Sequence, residues 1–212
     1  MIRYRRRFWV LAAALSAIAG FVDAIAFLQL GGFFVSFMSG NSTRLGVGLA
    51  TDAHAAALAG GLIATFVAGV MLGAFANRDA NKSGAVRVLI LVAATLALAG
   101  VSAGMGAPAL AVAALALAMG AENAVFQRDG EVSIGVTYMT GALVRFGQKL
   151  AAALTGGALF DWAPFLLLWA GLVAGAALGA LAFGTYGVSG VWFAAGAVVV
   201  LALIMWRMPH GD

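Results

Sequence analysis

Residues 37–44, Phe37-Met38-Ser39-Gly40-Asn41-Ser42-Thr43-Arg44, interrupt a chain that is otherwise a succession of apolar runs. A second stretch, Tyr138-Met139-Thr140-Gly141-Ala142-Leu143-Val144-Arg145, repeats the order aromatic, methionine, hydroxyl, glycine and, four residues on, arginine. The offset is a constant 101 residues, and Gly46 and Gly147 extend the match without a gap. Upstream, Gly20, Asp23 and Ala24 correspond to Gly120, Asn123 and Ala124 with one residue of slippage. Downstream, Val67-Ala68-Gly69 and Leu72-Gly73-Ala74 recur as Val173-Ala174-Gly175 and Leu178-Gly179-Ala180. Alanine and glycine matches alone carry little weight in this composition; the methionine, hydroxyl, glycine, arginine order carries the repeat. The chain therefore divides into two membrane repeats, residues 1–107 and 108–212, which together form one membrane domain.

The rest of the composition fixes the surroundings of that repeat. Of 212 residues, 64% are hydrophobic and 9% charged, with a mean hydropathy of +1.04. A soluble domain averages about half apolar and a quarter charged residues. Too little polar material remains to cover a water-exposed surface, which excludes a soluble globular enzyme. A bilayer core asks for about 20 apolar residues per span. Eight runs qualify as candidates: residues 8–28, 33–51, 55–76, 85–105, 108–127, 133–157, 163–183 and 187–207. Arg3, Arg5, Arg6 and Arg7 before the first run imitate a signal peptide, but further apolar runs follow, so the run is expected to stay as a first span. Cysteine is absent, which removes disulfides, thiolate metal sites, cysteine nucleophiles and lipidated cysteines. The net charge of +4 is expected to report cytoplasmic loops and not nucleic acid.

Two runs differ from the other six. Residues 33–51 carry Ser36, Ser39, Asn41, Ser42, Thr43 and Arg44, and residues 133–157 carry Ser133, Thr137, Thr140, Arg145, Gln148 and Lys149. Polar, interrupted membrane segments line cavities instead of facing lipid. If all eight runs cross, with the N-terminus inside, the loop holding Arg78, Lys82 and Arg87 falls outside, as does Arg128. If only six cross and the two polar runs are re-entrant, the basic loops all fall inside. The outer loops, around Asp52 and His54, Gly104 to Ala107, and Gly184 to Gly187, then hold no Lys or Arg. The positive-inside rule favours the second arrangement. The expected fold is all-α and polytopic, with six transmembrane helices, two re-entrant or broken segments and both termini cytoplasmic. Three crossings per half make the two repeats inverted, an arrangement common among transporters. The alternative is eight spans in a parallel 4+4 repeat.

Four ionisable residues lie within apolar stretches: Asp23, Arg44, Glu122 and Arg145. Intramembrane charges mark functional sites by default. A half-helix starting near Ser39-Gly40 would let the hydroxyl cap free backbone N–H groups and let Gly40 make the turn. Arg44, one turn in, would then lean toward the positive end of the helix dipole and require an anion. Thr140, Gly141 and Arg145 would repeat the arrangement from the other side. The anion is either a protein carboxylate, with Asp23 and Glu122 neutralising the arginines as internal ion pairs, or a bound substrate. Asn41 and Asn123 either bind that substrate or satisfy the broken backbone. Gly187-Val188-Ser189-Gly190 spells the GxSG of intramembrane serine proteases, but that chemistry needs a histidine base, and His54 and His210 sit far from it in sequence. No phosphate-loop spacing and no metal-ligand spacing occurs, so no cofactor is expected.

The Asp23 region, Phe37-Met38-Ser39-Gly40-Asn41 and Tyr138-Met139-Thr140-Gly141 resemble the YoaK-like family of bacterial inner-membrane proteins. The resemblance covers nearly the whole chain and implies a polytopic inner-membrane protein; it supplies a location without a mechanism. Ala142 stands where the first motif has Asn41, so the two motifs need not act alike. The function expected from these residues is a small-solute transporter or channel-like permease, not an enzyme. Its site would lie where the two polar tips meet. Ser39, Gly40, Asn41, Arg44, Thr140, Gly141 and Arg145 would bind an anionic or polar solute, with Asp23, Glu122 and Asn123 as coupling or ion-pair residues. The expected partners are the lipid bilayer, such a solute and a further copy of the chain. The alternative is a membrane scaffold or sensor that transports nothing.

Overall fold

Residues 6–128, 131–132 and 134–208 are described by the computed structural model. Arg3 and Arg5 of the basic run, Ser133 and His210 lie outside them. Among the described residues the protein is all-α apart from one short ladder. The helices are α1 (Arg6–Gln29), α2 (Met38–Thr51), α3 (Ala53–Ala76), α4 (Lys82–Gly104), α5 (Pro108–Glu122), α6 (Met139–Leu154), α7 (Ala163–Tyr186) and α8 (Val191–Arg207). Strands β1 (Gln127–Arg128) and β2 (Glu131–Val132) pair antiparallel, with Gln127 opposite Val132.

Local chemistry sets the helix boundaries. Gly31 and Gly32, at φ 63° and 108°, end α1 in a conformation that only glycine adopts without strain. Asp52 turns the corner between α2 and α3, its carboxylate accepting from the backbone N–H groups of His54 and Ala55. Asn81 caps α4 by accepting from Gly84 N at 2.8 Å, and Pro108 opens α5 where its missing N–H is of no consequence. A 3-10 turn at Gly187–Gly190 separates α7 from α8.

Among the described residues, four stretches are long and apolar enough to cross a membrane: Phe8–Gln29, Ala53–Ala76, Lys82–Gly104 and Ala163–Arg207. The last, of 45 residues, contains both α7 and α8. The two polar runs share one pattern, a helix that starts one residue before Ser39-Gly40 or Thr140-Gly141. Each is helical over its later part only, 38–51 and 139–154, because the residues before each helix are bonded elsewhere. The run expected over 108–127 is also shorter as a helix, ending at Glu122 and continuing as turns to Phe126.

Packing is tightest between distant parts of the chain. Helix α1 lies along α7, and α3 lies along α5; α4 packs on α5 and α8, while α2 folds back on α3 and α6 on α7. Glycines make the two closest contacts. A Cβ at Gly20 of α1 would fall on the carbonyl of Leu172, and one at Gly175 or Gly179 of α7 on the carbonyls of Ala17 or Phe21. Across α3 and α5, Gly69, Gly73 and Gly120 stand in the same relation to Leu117, Ala121 and Phe66. Small residues at such crossings let helix backbones approach closely where lipid offers no hydrophobic drive. Leu15, Ile25, Leu89, Leu96, Leu115 and Met119 fill the interior between these helices. Outward, Val10, Leu49, Phe75, Leu181 and Trp206 are exposed, a surface suited to lipid and not to water.

Candidate functional site

Beyond Gly32 the chain runs without helix from Phe33 to Phe37, and two side chains hold it. Asp23 Oδ1 accepts from Val35 N at 2.7 Å and Ser36 N at 2.9 Å, while its Oδ2 accepts from the Ser36 hydroxyl at 2.9 Å. Asn41, fully buried in the first turn of α2, grips the Phe34 peptide from the other side. Its Oδ1 accepts from Phe34 N at 3.1 Å and its Nδ2 donates to Phe34 O at 2.6 Å. These bonds answer the requirement that backbone polar groups in an apolar interior find partners. An unwound segment thus persists beside α1.

The second tip uses the corresponding residues. Thr137 donates its hydroxyl proton to Asn123 Oδ1 at 2.9 Å, and Asn123 Nδ2 donates to Met119 O at 3.0 Å. Thr137 occupies the position of Ser36, and Asn123 that of Asp23. The turn into each helix is also the same: Met38 N to Ser36 O and Asn41 N to Phe37 O in the first, Met139 N to Thr137 O and Ala142 N to Tyr138 O in the second.

The two tips meet. Ser36, Phe37, Met38 and Ser39 from one half and Thr137 to Gly141 from the other line a single cavity of about 280 Å³, with Phe66 of α3. Residues about a hundred positions apart therefore share one wall-to-wall space, of a size for a small solute. Both helix starts lie in its wall and neither carries a side-chain cap. Uncapped first-turn N–H groups and the positive ends of two helix dipoles favour negative charge or hydrogen-bond acceptors there.

Several expectations are corrected by this geometry. Ser39 and Thr140 do not cap their helices; the helices start one residue earlier, and both side chains belong to the cavity wall. Gly40 does not make the turn, which falls to Gly31 and Gly32; a Cβ at Gly40 would lie 2.5 Å from the Phe37 ring. Gly141 lies on the cavity with nothing within 4 Å of an added Cβ. The arginines pair with neither carboxylate. Arg44 stands over the Phe33 ring at 4.8 Å and against Gly32, and Arg145 over the Phe165 ring at 5.9 Å, neither in the cavity wall. Asp23 is committed to backbone and Ser36, and Glu122 is wholly buried with no partner for either carboxylate oxygen. Among the described residues the ion pairs join Asp79 to Arg78 and Arg87, and Lys149 to Asp161, all outside the site. Ser36 and Thr137 are cavity residues that the motifs do not single out. The signal was present, since both are hydroxyl residues at the same offset directly before the aromatic-methionine pair.

Comparison with known proteins agrees with this architecture at the level of family. Residues 11–204 match the family described as "Protein of unknown function (DUF1275)". The chain belongs to the DUF1275 family. It is also 36% identical over 205 residues to the UPF0700 transmembrane protein RA0705 of Rhizobium meliloti (strain 1021), a span covering 94% of this chain and 87% of that one. No solved structure matches it. This member of DUF1275 is thus a membrane protein, in accord with its apolar helices.

Proposed function

We propose that the protein is a small-solute transporter or channel-like permease of the bacterial inner membrane. The observation that carries this reading is the shared cavity, walled by the first turns of two half-helices from opposite halves of the chain. Ser39, Gly40, Thr140 and Gly141 offer backbone N–H groups and hydroxyls to an anionic or polar solute, Asn41 and Asn123 fix the tips, and Asp23 or Glu122 carries a coupling proton. Arg44 and Arg145, one turn behind, attract the solute without holding it.

The membrane path we propose has six spans. α1 runs outward; the segment after it returns to the level of Asp23, six residues or about 9 Å short of the end of α1. α2 then runs back out to the corner at Asp52, which makes the polar run re-entrant. The contact of Lys82 Nζ with the Met208 carbonyl brings the start of α4 to the end of α8, in keeping with antiparallel neighbours. Halves 1–107 and 108–212 would be inverted repeats, supported by the reciprocal crossings of α1 on α7 and α5 on α3. Both termini would be cytoplasmic. The YoaK-like naming rests on the motif residues alone.

The test is solute flux into liposomes holding the purified protein, across a panel of small anions and polar metabolites. Gly141→Leu fills the cavity from an open position and should abolish flux while the protein stays folded. Absence of flux for every solute, with no ligand-induced thermal stabilisation, would favour the non-transporting scaffold.

A further inference from the structure

The two halves place a different group behind the same hydroxyl. In the second half, Thr137 donates to Asn123 Oδ1 while Asn123 Nδ2 is committed to Met119 O. An amide has no proton to gain or lose in the ordinary range, so Thr137 turns the same lone pairs toward the cavity at all times. In the first half the partner is the carboxylate of Asp23. Its Oδ1 is saturated by the N–H groups of Val35 and Ser36; its Oδ2 holds only the Ser36 hydroxyl, at 2.9 Å. Ser36 itself lines the cavity and is 6% exposed.

We propose that Asp23 and Ser36 form a proton-operated switch that sets whether the cavity offers a hydrogen-bond donor or an acceptor at the first tip. A hydroxyl has one proton to give. With Asp23 ionised, Ser36 spends it on Oδ2 and presents lone pairs to the cavity. A proton taken up from water goes to Oδ2, the oxygen without backbone donors. The new O–H then needs an acceptor, and Ser36 Oγ is the group in reach. The bond reverses, and the Ser36 proton is released to point into the cavity. No other bond in the tip changes, because both backbone bonds stay on Oδ1. A solute that accepts hydrogen bonds, a small anion above all, is then bound together with a proton, and by linkage each strengthens the other.

The neighbours leave this pair to itself. Of the elements packed on α1, α5 brings Glu122, α7 brings Tyr186 at its far end and α8 brings Arg207; the 3-10 turn brings no titratable group. Arg44 of α2 faces Phe33. None of these forms a hydrogen bond or ion pair with Asp23.

This inference rests on the transport reading for its use of the cavity, but its chemistry is testable without a solute. The first measurement is infrared difference spectroscopy of the purified protein, acidified from neutral pH to the lowest pH at which it stays folded. A protonated-carboxyl band should grow in, vanish in Asp23→Asn, persist in Glu122→Gln and shift in frequency in Ser36→Ala. The second is nitrate affinity, nitrate being an anion throughout that range. The wild type should bind nitrate about tenfold more tightly in acid, the worth of one hydrogen bond to an anion. Asp23→Asn, whose Nδ2 donates to Ser36 as the neutral acid would, should bind at the tighter level at both pH values. Ser36→Thr should behave as wild type, and Ser36→Ala should lose the pH dependence. An Asp23 band indifferent to Ser36→Ala, or a pH dependence of nitrate binding that survives it, would overturn the switch. If the band responds as described and nitrate never binds, the switch stands and it is the anion-transport reading that falls.

Discussion

Asn41→Ala isolates the bond pair that keeps the first tip unwound. The wild-type side chain donates to Phe34 O at 2.6 Å and accepts from Phe34 N at 3.1 Å, and it is fully buried. Alanine removes both and leaves one donor and one acceptor of the Phe34 peptide without a partner. An orphaned buried group costs about 1–3 kcal/mol. Phe34 is only partly buried, so the lower half of that range applies to each end, giving roughly 2–4 kcal/mol for the pair. For a chain of this length such a loss lowers the unfolding midpoint by roughly 6–12 °C. The effect should be local, because Asp23 still holds the N–H groups of Val35 and Ser36. Two assays check this: thermal unfolding in detergent and amide hydrogen exchange, in which Phe34 should lose protection while Val35 and Ser36 keep theirs. An unchanged midpoint together with unchanged exchange at Phe34 would refute the claim that Asn41 holds the tip.

Three further outcomes follow from the geometry. Gly175→Ala drives a methyl onto the Ala17 carbonyl and should destabilise by about 1–3 kcal/mol despite the better helix propensity of alanine, whereas Gly196→Ala, with nothing within 4 Å, should be neutral or slightly stabilising; detergent melting curves compare the two. Because Arg44 and Asp23 share no bond, Arg44→Gln and Asp23→Asn should be additive within about 0.5 kcal/mol, and rescue of one by the other would restore the buried ion pair. In the absence of native cysteine, Ser83→Cys should react with an impermeant thiol reagent only from the cytoplasmic face and Ala53→Cys from outside; labelling of Ser83→Cys in intact cells would discard the six-span path.

Different features of the molecule stood at different depths in the sequence. The long helices were legible because an apolar run bounded by Gly, Pro, Asn or Asp has few alternatives in a membrane. The two tips were legible as matched motifs at a constant offset, and both line one cavity. The bond partners were not. Hydropathy and charge offer Asp23 and Glu122 as ion-pair partners for Arg44 and Arg145, with a bound substrate as the alternative anion. The structure prefers backbone, because an unwound segment inside an apolar fold leaves N–H groups whose claim on a carboxylate is as strong as that of a guanidinium and lies closer. Arg44 instead takes the face of Phe33. Helix starts were misplaced by one residue for a related reason: motif reading looked for a hydroxyl cap, and the caps are the aromatic residues Phe37 and Tyr138, which bond through backbone alone.

The departures from internal symmetry are where the two halves can differ in action. Position for position, Asn41 in the first half faces Ala142 in the second, and Phe34 faces Gly135. The first tip is clamped by a side chain on the Phe34 peptide. The second is closed by backbone, Tyr138 N donating to Gly135 O at 3.2 Å, and its glycine is required because a Cβ there would run into the Tyr138 ring. Asp23 and Asn123 differ in the same sense: one half holds its hydroxyl with a titratable group, the other with a permanent amide. The two tips differ at several positions, and some of those differences fall on the residues that hold them. Two tips with identical clamps would answer a solute or a proton identically. A proton-sensitive, side-chain-clamped tip opposite a fixed, backbone-closed one gives the cavity one responsive wall and one constant wall. Exchanging the partners, with Asp23→Asn and Asn123→Asp in one chain, should therefore remove the proton response from Ser36 without creating one at Thr137, since among the described residues position 123 lacks the backbone N–H donors that hold Asp23, and a second carboxylate oxygen there would face the Met119 carbonyl.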